Sequence, residues 1–242
     1  MAAIPIDSPP RRPGSQDAGP QSGAVNGPDK PGKLSRAERK LHTRERILDA
    51  TLSLVAQGRG LDSLGLREVA RAAGLAPTSL YNHFPDMEAL GLAAVEQACR
   101  RLRSTMREGR ASLIAGSATS AIRSMIERFI AYLEDHEAEF RLLVIQRMGA
   151  SRLYRRRIHR ELQLLVEELA EDVRQVVMAR VAVPVDVLRE AEAAVAIMFG
   201  FGILAQDMAP EARVQELPRL EVQLQMVFLG GRALAAGMRL DA

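Results

Sequence analysis

Residues 65–84 read GLREVARAAGLAPTSLYNHF, and the pattern predicts two short helices joined by a tight turn. Leu66, Val69 and Ala70 recur at i, i+3 and i+4, which gives the first helix one apolar face. Glu68 stands three residues after Gly65 and supplies half of a capping box, with glycine at the cap. Gly74 follows the last periodic residue, where a left-handed backbone ends a helix without a Cβ clash. Pro77 suits the first position of a second helix and holds Ala76 extended, as a cap residue requires. Leu75, Leu80 and Phe84 anchor that helix on the first, leaving Thr78, Ser79, Asn82 and His83 outward. Small hydrogen-bonding side chains on a short helix suit a DNA major groove. Helix–turn–helix pairs also serve as plain packing units.

Working outward, a helix over about 34–58 precedes the pair, with Ile47, Ala50, Thr51, Leu54 and Val55 as its inward stripe. It presents Thr43 and Arg44 at its outer end, and Arg36, Arg39, Lys40, Arg44 and Arg46 crowd its approach. Such a run is commonly a solvated helix face, but beside a helix–turn–helix it reads as phosphate contact. Asp86 caps a fourth helix through Leu90, Ala94 and Cys99 towards Arg110, with Gly109 and Gly116 bracketing its end.

Farther on, Ile122, Met125, Ile126, Phe129, Ile130 and Leu133 keep helical spacing, and a short helix follows over about 138–148. After a break at 149–151 comes a long helix carrying Ile158, Leu162, Leu165, Leu169, Val173 and Val176. Pro184 interrupts the chain, and Asp186 caps a helix expected to reach Met208. Pro210 and Pro218 bracket a connection to a last helix, about 220–238. The run 195–205 is hydrophobic all round and must be covered on every side. The last helix sets Leu220, Leu224, Val227 and Phe228 beside Gly230 and Gly231. Interior glycines cost roughly 1 kcal/mol each against alanine, which makes sense where another helix approaches closely.

The composition agrees with an all-α chain: apolar residues make up 47% of 242, and no β-branched alternation occurs. Residues 1–33 hold seven of the twelve prolines and read as a disordered tail. Cys99 is the only cysteine, which excludes an internal disulfide and fits a reducing cytoplasm. No amino-terminal hydrophobic segment is visible, and the run 195–205 falls far short of the roughly 20 residues that span a bilayer. A soluble, cytoplasmic protein with no membrane partner is expected. Chemistry for catalysis is not visible. Gly200–Ala205 fits GxGxxA but has no strand before it, and His136-Glu137 has Phe140 where a second zinc-binding histidine belongs. No cofactor or metal is expected.

Residue for residue, 65–84 resembles the TetR family of bacterial transcriptional regulators, and the flanks Thr43–Ala50 and Pro85–Leu90 extend the likeness. Within it, LREVARAAGLAPTSLYNHF followed by ALGLAAV is similar to the FabR and DesT type, repressors of unsaturated fatty acid synthesis. Gly65 stands where many relatives carry a Ser or Thr cap, and Met87 where many carry a phosphate-binding Lys. The resemblance implies a three-helix DNA-binding domain over 34–85 and a helical ligand-binding and dimerisation domain over 86–242. It implies a homodimer through the last two helices, on a palindromic double-stranded DNA operator. Thr78, Ser79, Asn82 and His83 then meet the major groove, with Asn82 suited to adenine, while Tyr81, Thr43 and Arg44 contact phosphates.

The effector implied is a hydrophobic small molecule, a long-chain acyl-CoA or acyl-carrier protein. Met125, Phe129, Tyr132, Phe140, Met148 and Met198 suit an adaptable tunnel for an alkyl chain. Arg147, Arg152, Arg155, Arg156, Arg157 and Arg160 form a basic cluster able to bind phosphates at its mouth, with Arg156 as the representative ligand-binding cation. From the residues alone, a regulator of another pathway or efflux system, a lipid carrier with a vestigial motif, and an enzyme on a helical scaffold stay open.

Overall fold

The computed structural model describes residues 35–115, 118–178 and 185–238. The expected tail over 1–33, together with Gly116 and Pro184, lies outside the described residues. Ten α-helices and two single turns of 3-10 helix make up the described residues, and among them there is no strand.

Helix α1 (Arg36–Ala56) begins at a complete capping box formed by Ser35 and Glu38. Ser35 Oγ accepts the Glu38 N–H at 3.2 Å, and the Glu38 carboxylate accepts the Ser35 N–H at 2.6 Å. Its buried face is wider than the predicted stripe, for Leu48 and Leu52 are buried as well and Leu54 only partly. The reason is that α1 is packed from several sides, on α2 (Leu66–Ala72), on α4 (Met87–Ala115) and on α6 (Glu137–Met148). Helix α3 (Pro77–Tyr81) lies against α2.

Asp86 caps α4 as expected, accepting the Ala89 N–H at 2.7 Å. Helix α4 ends at Ala115, between Gly109 and Gly116 as expected, so Gly109 is not its last residue. It lies within it, and a Cβ there would stand 3.3 Å from Met125 Cα of α5 (Ala118–Asp135), so the glycine lets two helices cross closely. Helix α4 is the hub, touching α1, α5, α6 and α7 (Arg152–Met178). The core runs without interruption from the helix–turn–helix through α4 into the helices beyond it.

Asp186 caps α8 (Val187–Leu204), accepting the Arg189 N–H at 3.3 Å. The helix was expected to reach Met208 but stops at Leu204, where a 3-10 turn over Ala205–Asp207 takes over. The stretch expected as a connection is α9 (Pro210–Gln215), followed at once by α10 (Leu217–Ala235). Pro210 and Pro218 each occupy a first helical turn, where the missing N–H costs nothing, so they start helices here rather than separate them. Buried Arg213 of α9 donates to the carbonyls of Ala205 at 3.0 Å and Leu133 at 3.3 Å. Both carbonyls lie near helix C-termini, whose negative partial charge offsets the guanidinium.

Gly231 of α10 has the close approach expected of it, but from within the chain. A Cβ there would stand 2.8 Å from Glu190 Cδ of α8 and would meet its carboxylate oxygen closer still. Gly230 has nothing within 4 Å. The run 195–205 is covered on one side only: Met198, Phe201, Gly202 and Ala205 are buried, whereas Ile203 and Leu204 are exposed. On α10, Val222, Met226, Leu229 and Leu234 are exposed too.

Candidate DNA-binding surface and interior cavity

The turn between α2 and α3 closes as its residues demand. Gly74 adopts φ +66°, its N–H donates to Arg71 O at 3.1 Å, and the Leu75 N–H donates to Ala70 O at 2.8 Å. This pair of bonds is the Schellman arrangement, and only glycine enters that backbone region at little cost. Ala76 is extended at φ −65° and ψ 141°, with Pro77 at the first helical position. Leu80 and Phe84 are buried, which turns the other face of α3 outward.

The half capping box does not form. The Glu68 carboxylate pairs instead with Arg59 at 2.7 Å, which ties α2 to the segment after α1. A second tie was not foreseen: Arg46 Nη2 donates to Ala73 O at 2.7 Å, fixing α1 to the C-terminal end of α2.

Thr78, Tyr81 and Asn82 are exposed, Ser79 is partly so, and His83 is half-buried. Helix α3 ends at Tyr81, so Asn82 is its C-cap and His83 follows the cap. Burial first, then Lys40 and Arg44, push the His83 pKa below its ordinary value, and its Nδ1 is buried without a partner. Arg44 is not a free cation. Its guanidinium lies 4.6 Å over the Phe84 ring, where α1 meets the end of the motif. The Thr43 hydroxyl donates to Arg39 O at 2.8 Å, one turn back on α1. Around this face Arg36, Arg39, Lys40, Arg67 and Arg71 are exposed. Arg67 and Arg71 were absent from the sequence reading, although i, i+4 spacing on α2 opposite its apolar face was the available signal.

Inside the helical body an apolar cavity of about 30 Å³ lies between α4, α5, α7 and α8. Met125, Phe129 and Met198 line it, together with Leu102, Met106, Leu162, Leu165, Leu169, Ala194, Val195 and Phe199. Tyr132 and Phe140 are fully buried behind Phe129, with ring centroids 6.4 and 5.8 Å from it. Met148 is 83% exposed and Arg156 is exposed, and neither borders the cavity. The remaining arginines of the basic cluster divide. Arg155 donates to the carbonyls of Gly149 and Ala150, and Arg157 bridges Glu96 at 3.3 Å and Glu161 at 3.1 Å. Arg147 instead borders an open groove of about 700 Å³ between α7 and α8. Leu102 and Met106 were missed as cavity residues because their spacing on α4 signals burial without naming what they face.

A part-buried ion pair joins α4 to α6. Arg101 Nη1 lies 2.6 Å from the Glu139 carboxylate, which is buried and has its pKa raised by desolvation. Among the described residues no group of three or more His, Cys, Asp or Glu could hold a metal ion. No helix among them is long and apolar enough to cross a membrane.

Residues 47–94 match the family model for bacterial regulatory proteins of the tetR family. The fold is similar to that of a protein from Rhodococcus sp. assigned to the TetR family, with 24% identity over 77% of this chain and 98% of that one, TM-score 0.63. It is similar to a TetR-family protein from Mesorhizobium loti, with 15% identity over 79% and 97% of the two chains, TM-score 0.62. It is also similar to SmeT in complex with triclosan, with 20% identity over 78% and 91%, TM-score 0.60. Residues 47–94 are therefore similar to the tetR family of bacterial regulatory proteins, and the chain as a whole has the all-helical fold of structures assigned to that family.

Proposed function

We propose that this protein is a homodimeric transcriptional repressor, not an enzyme, that binds a palindromic operator and responds to a hydrophobic effector. The observation that carries the reading is the outward face of α3, polar and exposed, ringed by exposed arginines and Lys40 on α1 and α2. Residues 34–85 form the DNA-binding domain and 86–242 the effector and dimerisation domain. Thr78, Ser79, Asn82 and His83 read the major groove, Asn82 by paired hydrogen bonds to adenine. Tyr81, Thr43 and Arg44 set the register on phosphates, with Arg44 held in place by Phe84.

The dimer forms through the exposed apolar strip of α8 and α10. Ile203, Leu204, Val222, Met226 and Leu229 form an apolar surface that water meets unless a second copy covers it. An isologous interface sets two motifs about one helical turn of DNA apart, roughly 34 Å, or a multiple of it.

The effector is a long-chain acyl thioester, received beside Met125, Phe129 and Met198, and the regulated genes serve unsaturated fatty acid synthesis. The resemblance supports this, as does a cavity lined by flexible methionine and branched side chains. The alternative is a regulator of another pathway or efflux system with an unrelated hydrophobic effector, and the likeness to SmeT, solved with triclosan, supports only that unrelated effector. A response requires the ligand to prefer one arrangement of α4 over another, since equal affinity for both shifts nothing. Operator affinity measured across a salt series, with saturated and cis-unsaturated acyl-CoA of equal length, tests both halves. Salt-steep, sequence-specific binding that changes with one acyl chain supports the reading. Binding indifferent to DNA sequence removes the regulator, and sequence-specific binding indifferent to both acyl chains removes the acyl effector alone.

A further inference from the structure

The open groove and the inner cavity lie on two sides of the same three side chains, Leu162, Val195 and Phe199. At about 30 Å³ the inner cavity admits one water-sized body, so any larger occupant has to move that wall. Phe199 is only half-buried and packs on Phe140 with ring centroids 5.4 Å apart. The groove also carries a charge pattern. Arg147 and His159 border it, and neither makes an ion pair or hydrogen bond among the described residues. The neighbouring Arg155 and Arg157 are both committed elsewhere. Glu167, eight residues after His159 on α7, lies about 12 Å farther along the helix. Glu192 also borders the groove and is held by Arg189 at 3.4 Å.

We propose that groove and cavity together form one site for an amphiphile with an anionic head group and an unbranched alkyl tail. The head pairs with Arg147 and His159, and the tail passes between Leu162, Val195 and Phe199 into the space beside Met125 and Met198. This rests on the effector reading above and adds to it the class of head group, its residues and the route. An unpartnered, half-buried guanidinium gains most from a carboxylate or phosphate, because the pair forms beside an apolar wall rather than in open water. Glu167 sets the direction, since an anionic head at that end of the groove meets a like charge. Flat, uncharged ligands use neither feature. The outer wall of the groove, Ala196, Gly200 and Ile203, belongs to the α8 face assigned to the dimer, so a partner docked there roofs the site.

The test uses the full chain with dodecanoate and dodecan-1-ol as probes, by titration calorimetry on the parent protein, Arg147→Gln and His159→Gln. Phe199→Trp supplies a reporter at the shared wall, since the chain has no tryptophan of its own. The expected result is dodecanoate binding that falls about tenfold or more in Arg147→Gln and less in His159→Gln, with dodecan-1-ol weaker and unchanged by either. The Phe199→Trp emission should shift on adding dodecanoate. Equal affinity for both probes, unaltered by Arg147→Gln, overturns the head-group assignment, and binding without an emission shift overturns the route. If acyl-CoA alters operator binding equally in the parent and in Arg147→Gln, this site falls while the effector reading stands. If neither probe binds and no acyl-CoA acts on the operator complex, both fall.

Discussion

A carboxylate placed at Leu229 should dissolve the proposed dimer. Leu229 is 60% exposed on α10, beside Met226 at 66%. Full burial of a leucine side chain contributes roughly 1.5–3 kcal/mol, so covering the exposed part contributes about 1–2 kcal/mol per chain. A two-fold interface counts it twice, giving about 2–4 kcal/mol lost in Leu229→Glu before any charge is considered. Two carboxylates desolvated without partners add on the order of several kcal/mol. The sum exceeds about 5 kcal/mol, a rise in the dimer Kd of more than roughly a thousandfold. Because Leu229 is already mostly exposed in the single chain, far-ultraviolet circular dichroism should be unchanged. Sedimentation velocity across a concentration series reads the equilibrium, with Leu41→Glu on α1, also exposed, as the control that stays dimeric. A Leu229→Glu protein whose dimer Kd stayed within tenfold of the parent would remove this face from the interface. Gly231→Glu is the poorer choice, since its new side chain meets Glu190 of the same chain and tests folding instead.

Asn82→Ala should narrow the gap between the operator and single-base variants by about 1–3 kcal/mol, whereas Lys40→Ala should weaken all sequences alike and lower the salt slope by about 0.9; fluorescence anisotropy over a salt series distinguishes them. Gly74→Ala should lose about 1–2 kcal/mol in denaturant unfolding, because φ +66° and not crowding is the obstacle: the nearest atom to the new Cβ is Arg46 Nη2 at 3.4 Å. Gly74→Asn should lose less, and equal losses would place the cause elsewhere. Glu190 has its pKa raised from 4.5 to about 7, chiefly by burial, then lowered by Arg232 and raised by Asp186, and one of its carboxylate oxygens is buried without a partner. The folded chain then holds a proton that the unfolded chain gives up between those values, so this residue's contribution, a few kcal/mol at most and less after solvent screening, is lost as pH rises from about 4.5 through about 7. Glu190→Gln should flatten the melting temperature between pH 5 and 8, and an unchanged slope would count against this account.

The helix–turn–helix was legible from the chain because its determinants are local. Gly74 at φ +66°, Pro77 after an extended Ala76, and Leu66, Val69 and Ala70 on one face each act within a few residues, and each signal agrees with its neighbours. The caps Asp86 and Asp186 were readable for the same reason. Periodicity likewise marked Met125, Phe129 and Met198 as inward. It does not say what an inward residue faces, nor whether an apolar face meets this chain or a second one. Only the packing of α4, α5, α7 and α8 set those three around a common space and turned Met148 to solvent. Only the pairing of α8 with α10 brought Gly231 against Glu190 and left Met226 and Leu229 uncovered.

The long side chains were the least legible. Arg44 on Phe84, Arg46 on the Ala73 carbonyl, Glu68 on Arg59 and Arg157 between two glutamates all found partners on other segments. Sequence by itself determined the motif, most of the helices and the caps Asp86 and Asp186, because backbone conformation answers to nearest neighbours. Tertiary structure alone decided which arginines are tied down and which, like Arg147, keep their charge free. A guanidinium reaches several residues' worth of space, and what lies within that reach is set by where distant helices cross.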